Sequence, residues 1–252
     1  MTGASTAVRT RTPLRYEHLG MSTSAPSIIH AARAQCSRDV AAIAPDAGPS
    51  LWDAECQFLI RCWTEPHRSY HCLRHVADMM AALDQLANAE SGLSEKSLLI
   101  ARVATWFHDA AYDPRATPGS NEQRSATLAR DHLHRVGAAD NDVDAVEALI
   151  LMTIKHAPIA APTRPVVEPV LLDAFHDADL WILSAPPLRY RDYARGVRDE
   201  YAHVPYALFA SGRSHILRGF LRRSALYRTE YAQENWHHRA ASNIERELAE
   251  LT

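Results

Sequence analysis

Cysteine is scarce in this chain, and Cys36, Cys56, Cys62 and Cys72 form no Cys-x-x-Cys pair. That spacing argues against a zinc ribbon and against a secreted disulfide framework, so the reducing cytosol is the expected compartment. Long apolar runs are missing as well. No stretch approaches the roughly 18 to 20 uncharged residues of a membrane span, and the N-terminus lacks the continuous apolar core of a signal peptide, so no membrane partner is expected. Glycine does not cluster: Gly196 and Gly212 stand alone, there is no phosphate loop of Walker type, and Ser211-Gly212 lacks the Gly-x-Ser-x-Gly of a nucleophile elbow. Excess positive charge is also absent. With 27 Lys and Arg against 30 Asp and Glu, the formal net charge is −3 with His neutral. A broad basic field for polymeric nucleic acid is therefore missing, and the arginine-rich stretch 213–223 does not supply one. That stretch instead predicts a helix packing Ile216, Leu217, Phe220 and Leu221 into a core.

What remains is ordinary globular composition, 252 residues with 47% apolar and 23% charged, which suits one domain. Residues 1–27, rich in Ser, Thr, Ala and Arg, read as a disordered tail that contains an alternative start at Met21. Residues 28–252 read as a single all-α domain, because apolar residues recur at helical spacing and no convincing Val/Ile/Thr-rich period-2 run appears between turn signals. A first helix is predicted at about Leu51 to Trp63, stopped by Pro66, and a second from His71 to about Ala89. Ser94 can cap a third that runs on to Asp113-Pro114. Ser120-Asn-Glu-Gln123 fits a capping box opening a helix to about Val136. Further helices are expected at about Asn141 to Ile154, Val167 to Leu183, Leu188 to Ala202, Tyr206 to Arg222 and Glu230 to Leu251. The segment Pro158 to Pro169, with four prolines, is the clearest loop and stands where it can edge a site.

Three polar clusters interrupt these apolar helices. His108-Asp109 ends the run Leu98 to Phe107, and adjacent imidazole and carboxylate can reach one metal ion together. Burying that carboxylate beside Trp106-Phe107 is costly without a compensating cation or hydrogen-bond partner. Upstream, Tyr70-His71-Cys72-Leu73-Arg74-His75 places two histidines four apart on one helix face; either both touch metals, or one binds metal while its neighbour reaches the substrate. Downstream lies Asp177-Ala178-Asp179-Leu180, whose two carboxylates cannot share one helix face. Mixed imidazole and carboxylate donors suit Mn, Fe, Co, Ni or Zn, and Mg less well. One or two ions fit the pattern, with Asp109 the natural bridge between two and Glu122 and His156 the available further ligands.

The order His, His-Asp, Asp in apolar settings resembles the HD superfamily of metal-dependent phosphohydrolases, over a match running roughly from Tyr70 to Leu183. More finely, Asn121-Glu-Gln-Arg-Ser-Ala126, Asp177-Ala-Asp-Leu-Trp-Ile-Leu183, Val197-Arg-Asp-Glu-Tyr201 and Gly212-Arg213 are similar to segments of a bacterial HD subfamily known mainly as predicted phosphohydrolases. The resemblance implies an HD-domain helical bundle with additional C-terminal helices. Tyr-His-x-x-x-His is also similar to the cyclic-nucleotide phosphodiesterases, distant HD relatives, which implies that His75 is a ligand and His71 the general acid. The register Ala178-Asp179-Leu180 resembles the family's Ala-Asp-x-Leu style and favours Asp179 over Asp177, and His156 stands where many HD proteins carry an additional histidine.

The implied function is hydrolysis of a small phosphorylated molecule, a nucleotide or related phosphomonoester, by metal-activated water. Arg68 and Lys155 are the best-placed cations for the phosphate, with Arg198 and Arg213 behind them, whereas Arg198 and Glu200 also read as residues that hold the C-terminal helices over the site. Two other functions use the same residues: a dinuclear-iron oxygenase, and a regulatory module that binds nucleotide without turnover. Exposed helical faces in the C-terminal half would allow a homodimer.

Overall fold

A computed structural model of the chain describes residues 25–89, 92–155 and 167–251. Most of the expected tail, most of the proline-rich loop and His156 lie outside them. The described residues form eleven α-helices and one 3-10 turn, with no strand among them. No helix among them is long and apolar enough to cross a membrane.

The protein is organised around α4 (Glu95–Phe107). Its run Leu-Leu-Ile-Ala-Arg-Val-Ala-Thr-Trp-Phe is apolar on nearly all sides, and a helix of that kind must be enclosed by others. It packs against α1 (Ala25–Ile43), α3 (Leu73–Ala89), α5 (Ser120–Arg135), α6 (Asp140–Met152) and α7 (Pro169–Asp179). Fully burying each of Leu98, Ile100, Val103 and Phe107 contributes about 1.5–3 kcal/mol. Ser94 caps the helix as its sequence position predicts, accepting a hydrogen bond from the Ser97 N–H at 3.0 Å. Because α4 is central, whatever follows its last turn is delivered to the interior.

Around this core, α2 (Pro49–Trp63) packs on α1, and a 3-10 turn (Leu180–Ser184) continues α7. Next come α8 (Pro187–Glu200), α9 (Tyr206–Leu221), α10 (Glu230–Asn235) and α11 (His237–Glu250), of which α8 and α11 pack against the 3-10 turn.

Several sequence expectations are corrected. The first helix is α1 and not the one at Leu51; its buried stripe of Cys36, Val40 and Ile43 is faint because it also buries Asp39. That carboxylate accepts hydrogen bonds from Trp106 Nε1 and Gln35 Nε2, both at 2.8 Å, so its burial is compensated. The helix bearing the His-Asp pair ends at Phe107, six residues before Asp113. Ser120 does not cap α5: Gly119 holds that position at φ 83°, where its missing Cβ would otherwise lie 3.2 Å from Ile154 Cγ2. The single helix expected over 230–251 is broken at Trp236, whose buried indole packs edge-on against Tyr227 and Tyr231. On α9 the buried face is Ala210, Arg213, Ser214 and Leu217, while Ile216 and Leu221 are exposed.

Candidate metal centre

The C-terminal end of α4 builds the centre of the site. A helix leaves its last carbonyls without intrahelical partners, and burial makes each one costly. Here they are all met: Thr105 O by His108 Nδ1 at 3.0 Å, Trp106 O by the Trp63 indole N–H at 2.8 Å, and Phe107 O by the Ala110 N–H at 2.9 Å. Arg68 then donates to Asp109 O at 2.8 Å and Ala110 O at 2.9 Å. The chain turns sharply as a result, and the His108 and Asp109 side chains are presented to a cavity.

The bond from His108 Nδ1 to Thr105 O commits Nδ1 as a donor, so Nε2, which faces the cavity, is the nitrogen that can give up its proton to a cation. His75 is arranged in the same way. Its Nδ1 is hydrogen-bonded to the Tyr70 hydroxyl at 3.1 Å, and its Nε2 lies 3.1 Å from His108 Nε2. Asp179 Oδ1 completes the group, 3.3 Å from His75 Nε2 and 3.8 Å from His108 Nε2. Four ligands at bond lengths near 2.0–2.1 Å around one ion stand about 3.3 Å apart, so these separations suit a shared cation. His75, His108 and Asp179 form a group that can hold a metal ion. Asp109 Oδ2 lies 3.1 Å from His108 Nε2 on the adjoining side.

The electrostatics point the same way. Burial pushes the His75 imidazole down despite Asp179. Burial also acts against charge on His108, but the Asp109 carboxylate overrides it and raises the imidazole to about 9. Asp109 itself would be raised by burial, yet His108 holds it well below the usual carboxylate range. The carboxylates thus favour positive charge beside His108, whereas burial opposes it at His75.

His71 occupies the other side of the cavity. Its Nδ1 is hydrogen-bonded to Glu200 Oε2 at 2.6 Å, and its Nε2 lies 3.8 Å from Asp109 Oδ2. Burial lowers its basicity, but Glu200 and Asp109 raise it further, for a net upward shift. Glu200, reaching in from the last turn of α8, is a hub: Oε1 accepts the backbone N–H groups of Ser69, Tyr70 and His71 at 2.7–2.9 Å, and Oε2 also accepts the Tyr112 hydroxyl at 2.8 Å. Against the cost of burial, these donors hold its carboxyl down to about 2. The close approach requires Gly196, one turn earlier on α8, where a Cβ would sit 3.1 Å from Tyr70 N and Tyr70 Cβ. Gly196 does not stand out in the sequence as part of the site, whereas Glu200 reads there as a residue holding the C-terminal helices over it; its direct bond to the His71 ring is what that reading lacks.

The cavity has a volume of about 180 Å³ and includes Glu122 in its lining, beside Asp109, Asp179 and the three histidines. Glu122 is placed by the first turn of α5, whose Asn121 bonds both the N–H and the carbonyl of Asp113, at 3.1 and 3.0 Å. Burial, followed by the neighbouring Asp109, raises its carboxyl.

Other candidates fall elsewhere. Asp177 is fully buried and faces away, accepting the Arg228 and Thr229 N–H groups and the Thr229 hydroxyl at 2.8–3.0 Å. Arg68 is corrected from a phosphate ligand to a clamp: besides Asp109 O and Ala110 O, it holds His71 O at 3.2 Å and Glu65 Oε2 at 2.9 Å. Lys155 is exposed beyond α6 and does not line the cavity, so the structure gives it no contact with the site. Arg213 is ion-paired with Glu247 at 2.7 Å, and Arg198 donates to Tyr201 O at 2.6 Å.

No family model matches the chain, and neither does any curated protein or solved structure.

Proposed function

We propose that the protein is a metal-dependent phosphohydrolase of HD type acting on a small phosphorylated molecule. The observation that carries this reading is the pairing of a His75-His108-Asp179 group with a separate imidazole, His71, held over the same cavity by Glu200. His75, His108 and Asp179 would hold the ion, with Asp109 as a further ligand and Glu122 available to a second ion. A transition ion such as Mn, Fe, Co, Ni or Zn suits two imidazole donors. When bound, it supplies Lewis acidity toward a phosphoryl oxygen and lowers the pKa of water toward neutrality.

The remaining work falls to side chains. His71 donates its Nδ1–H to Glu200 and can carry a second proton on Nε2, which faces the cavity and can pass to the leaving oxygen. Glu200 fixes the ring orientation, so that the proton is presented without reorganisation. The test is phosphate release with Mn, Co, Ni, Fe or Mg supplied, comparing the protein with its His108→Ala, Asp109→Ala double variant. Metal-dependent release that the double variant loses supports the reading; silence from folded, metal-loaded protein would sink it.

A further inference from the structure

We infer that the cavity selects a phosphomonoester whose organic part is compact, uncharged and largely apolar, and that it rejects nucleoside di- and triphosphates. This inference rests on the hydrolase reading above and narrows its substrate.

Charge is the first ground. Among the described residues no lysine or arginine lines the cavity, whereas Asp109, Glu122 and Asp179 do. Three arginines packed behind its walls are committed to other partners, and Arg223 lies over the Phe220 ring at 4.9 Å without entering the lining. Arg68 grips backbone carbonyls, Arg189 pairs with Asp78 at 2.5 Å behind the Tyr70 ring, and Arg213 pairs with Glu247 behind the Tyr193 ring. Bound divalent ions can compensate one phosphoryl group. Each additional phosphate would then face a lining that, among the described residues, offers no further side-chain cation.

Shape and chemistry of the walls are the second ground. Leu180, Ile182 and Leu183 of the 3-10 turn and Phe220 of α9 supply an apolar part of the lining. Its backbone acceptors are already used: Leu180 O accepts from the Tyr227 hydroxyl at 3.1 Å, and Leu183 O from Asn243 Nδ2 at 2.9 Å. The hydroxyl of Thr153 is turned to Ile150 O at 2.8 Å. Reading a nucleobase edge or a row of sugar hydroxyls needs convergent polar groups, and this face offers an apolar surface instead. A volume of about 180 Å³ also falls below the roughly 300–1,000 Å³ that encloses a drug-sized ligand.

The experiment uses Mn-loaded full-length protein and two readouts, protection against thermal unfolding and phosphate release. The probes are phenyl phosphate, propyl phosphate, AMP, ADP and ATP. Phenyl and propyl phosphate are expected to protect the protein and to be hydrolysed with kcat/KM about 100-fold or more above ADP and ATP, with AMP below both monoesters. A Phe220→Arg variant, which adds a cation to the partly exposed rim, is expected to narrow the gap toward ADP. Protection by the monoesters without any release would sink the hydrolase reading and leave the selectivity standing. Equal protection or turnover of ADP and ATP overturns the inference, as does protection by none of the probes.

Discussion

Two histidine–glutamate pairs, His71 with Glu200 and His132 with Glu55, share one chemistry and differ in their surroundings. The His132 ring lies flat on Phe58 with centroids 4.2 Å apart, Arg135 reaches Glu55 at 3.3 Å, and the pair lines no part of the cavity. It fastens α2 to α5. His71 instead presents Nε2 toward Asp109 and the open cavity, while its Glu200 partner is saturated with backbone N–H donors. Pairing alone therefore does not mark a candidate functional histidine. What marks it is a second nitrogen left facing a space that a ligand can enter, beside groups that stabilise added charge.

The contrast is broken most directly at the histidines. His71→Ala is expected to lower phosphate release by about 10²–10⁴-fold while bound metal, measured by elemental analysis, is retained. Loss of metal in this variant would make His71 a ligand and end the distinction between its role and that of His75. His132→Ala should leave the activity of folded molecules unchanged and lower the melting temperature.

Removing the carboxylates exchanges the two signatures. Glu55→Ala leaves a buried imidazole and Arg135 without their partner and is expected to destabilise by about 3 kcal/mol in urea unfolding, with kcat/KM unaltered. Glu200→Gln keeps the volume but weakens the grip on His71, so a loss of about 10–100-fold in kcat is expected, with KM nearly constant. An equal loss from both carboxylate variants would mean that the two pairs serve the same purpose.

Smaller effects sharpen the picture. Gly196→Ala pushes α8 off the Tyr70 backbone and is expected to cost about 1–3 kcal/mol, with a kcat loss smaller than that of Glu200→Gln. Glu200 also gives acid stability a definite sign. Its folded pKa lies below its ordinary value, so its contribution is complete above about 4.5 and fades as pH falls toward about 2. Glu200→Gln should therefore flatten the pH dependence of the melting temperature across that window; an unchanged slope would assign acid sensitivity to other carboxylates.

Much of this was legible in the sequence because it is written locally. The apolar run of α4, its Ser94 cap and the adjacency of His108 and Asp109 are short-range signals. The helix expected from His71 is corrected: α3 starts at Leu73, so His71 stands in the turn before it and only His75 is helical. Partnerships across the chain were not legible. Glu200 lies 129 residues from His71, and its task depends on how closely α8 approaches, which only the packed form reveals. Arg68 reads as a free cation beside a histidine motif, yet the carbonyls it satisfies exist as a target only once α4 has ended. The capping-box pattern at Ser120 was present but lost to Gly119, whose left-handed conformation starts the helix one residue earlier.

By holding the carbonyl of His71 with one hand and those of Asp109 and Ala110 with the other, Arg68 locks two of the three segments that carry the candidate ligands into one body. Segments fixed in advance have little conformational entropy left to lose when an ion arrives. This is the opposite of a zinc finger, whose chain folds only around its metal. Chelation is thus expected to leave the backbone intact, and any ion held by this group would be an exchangeable guest in a preorganised socket.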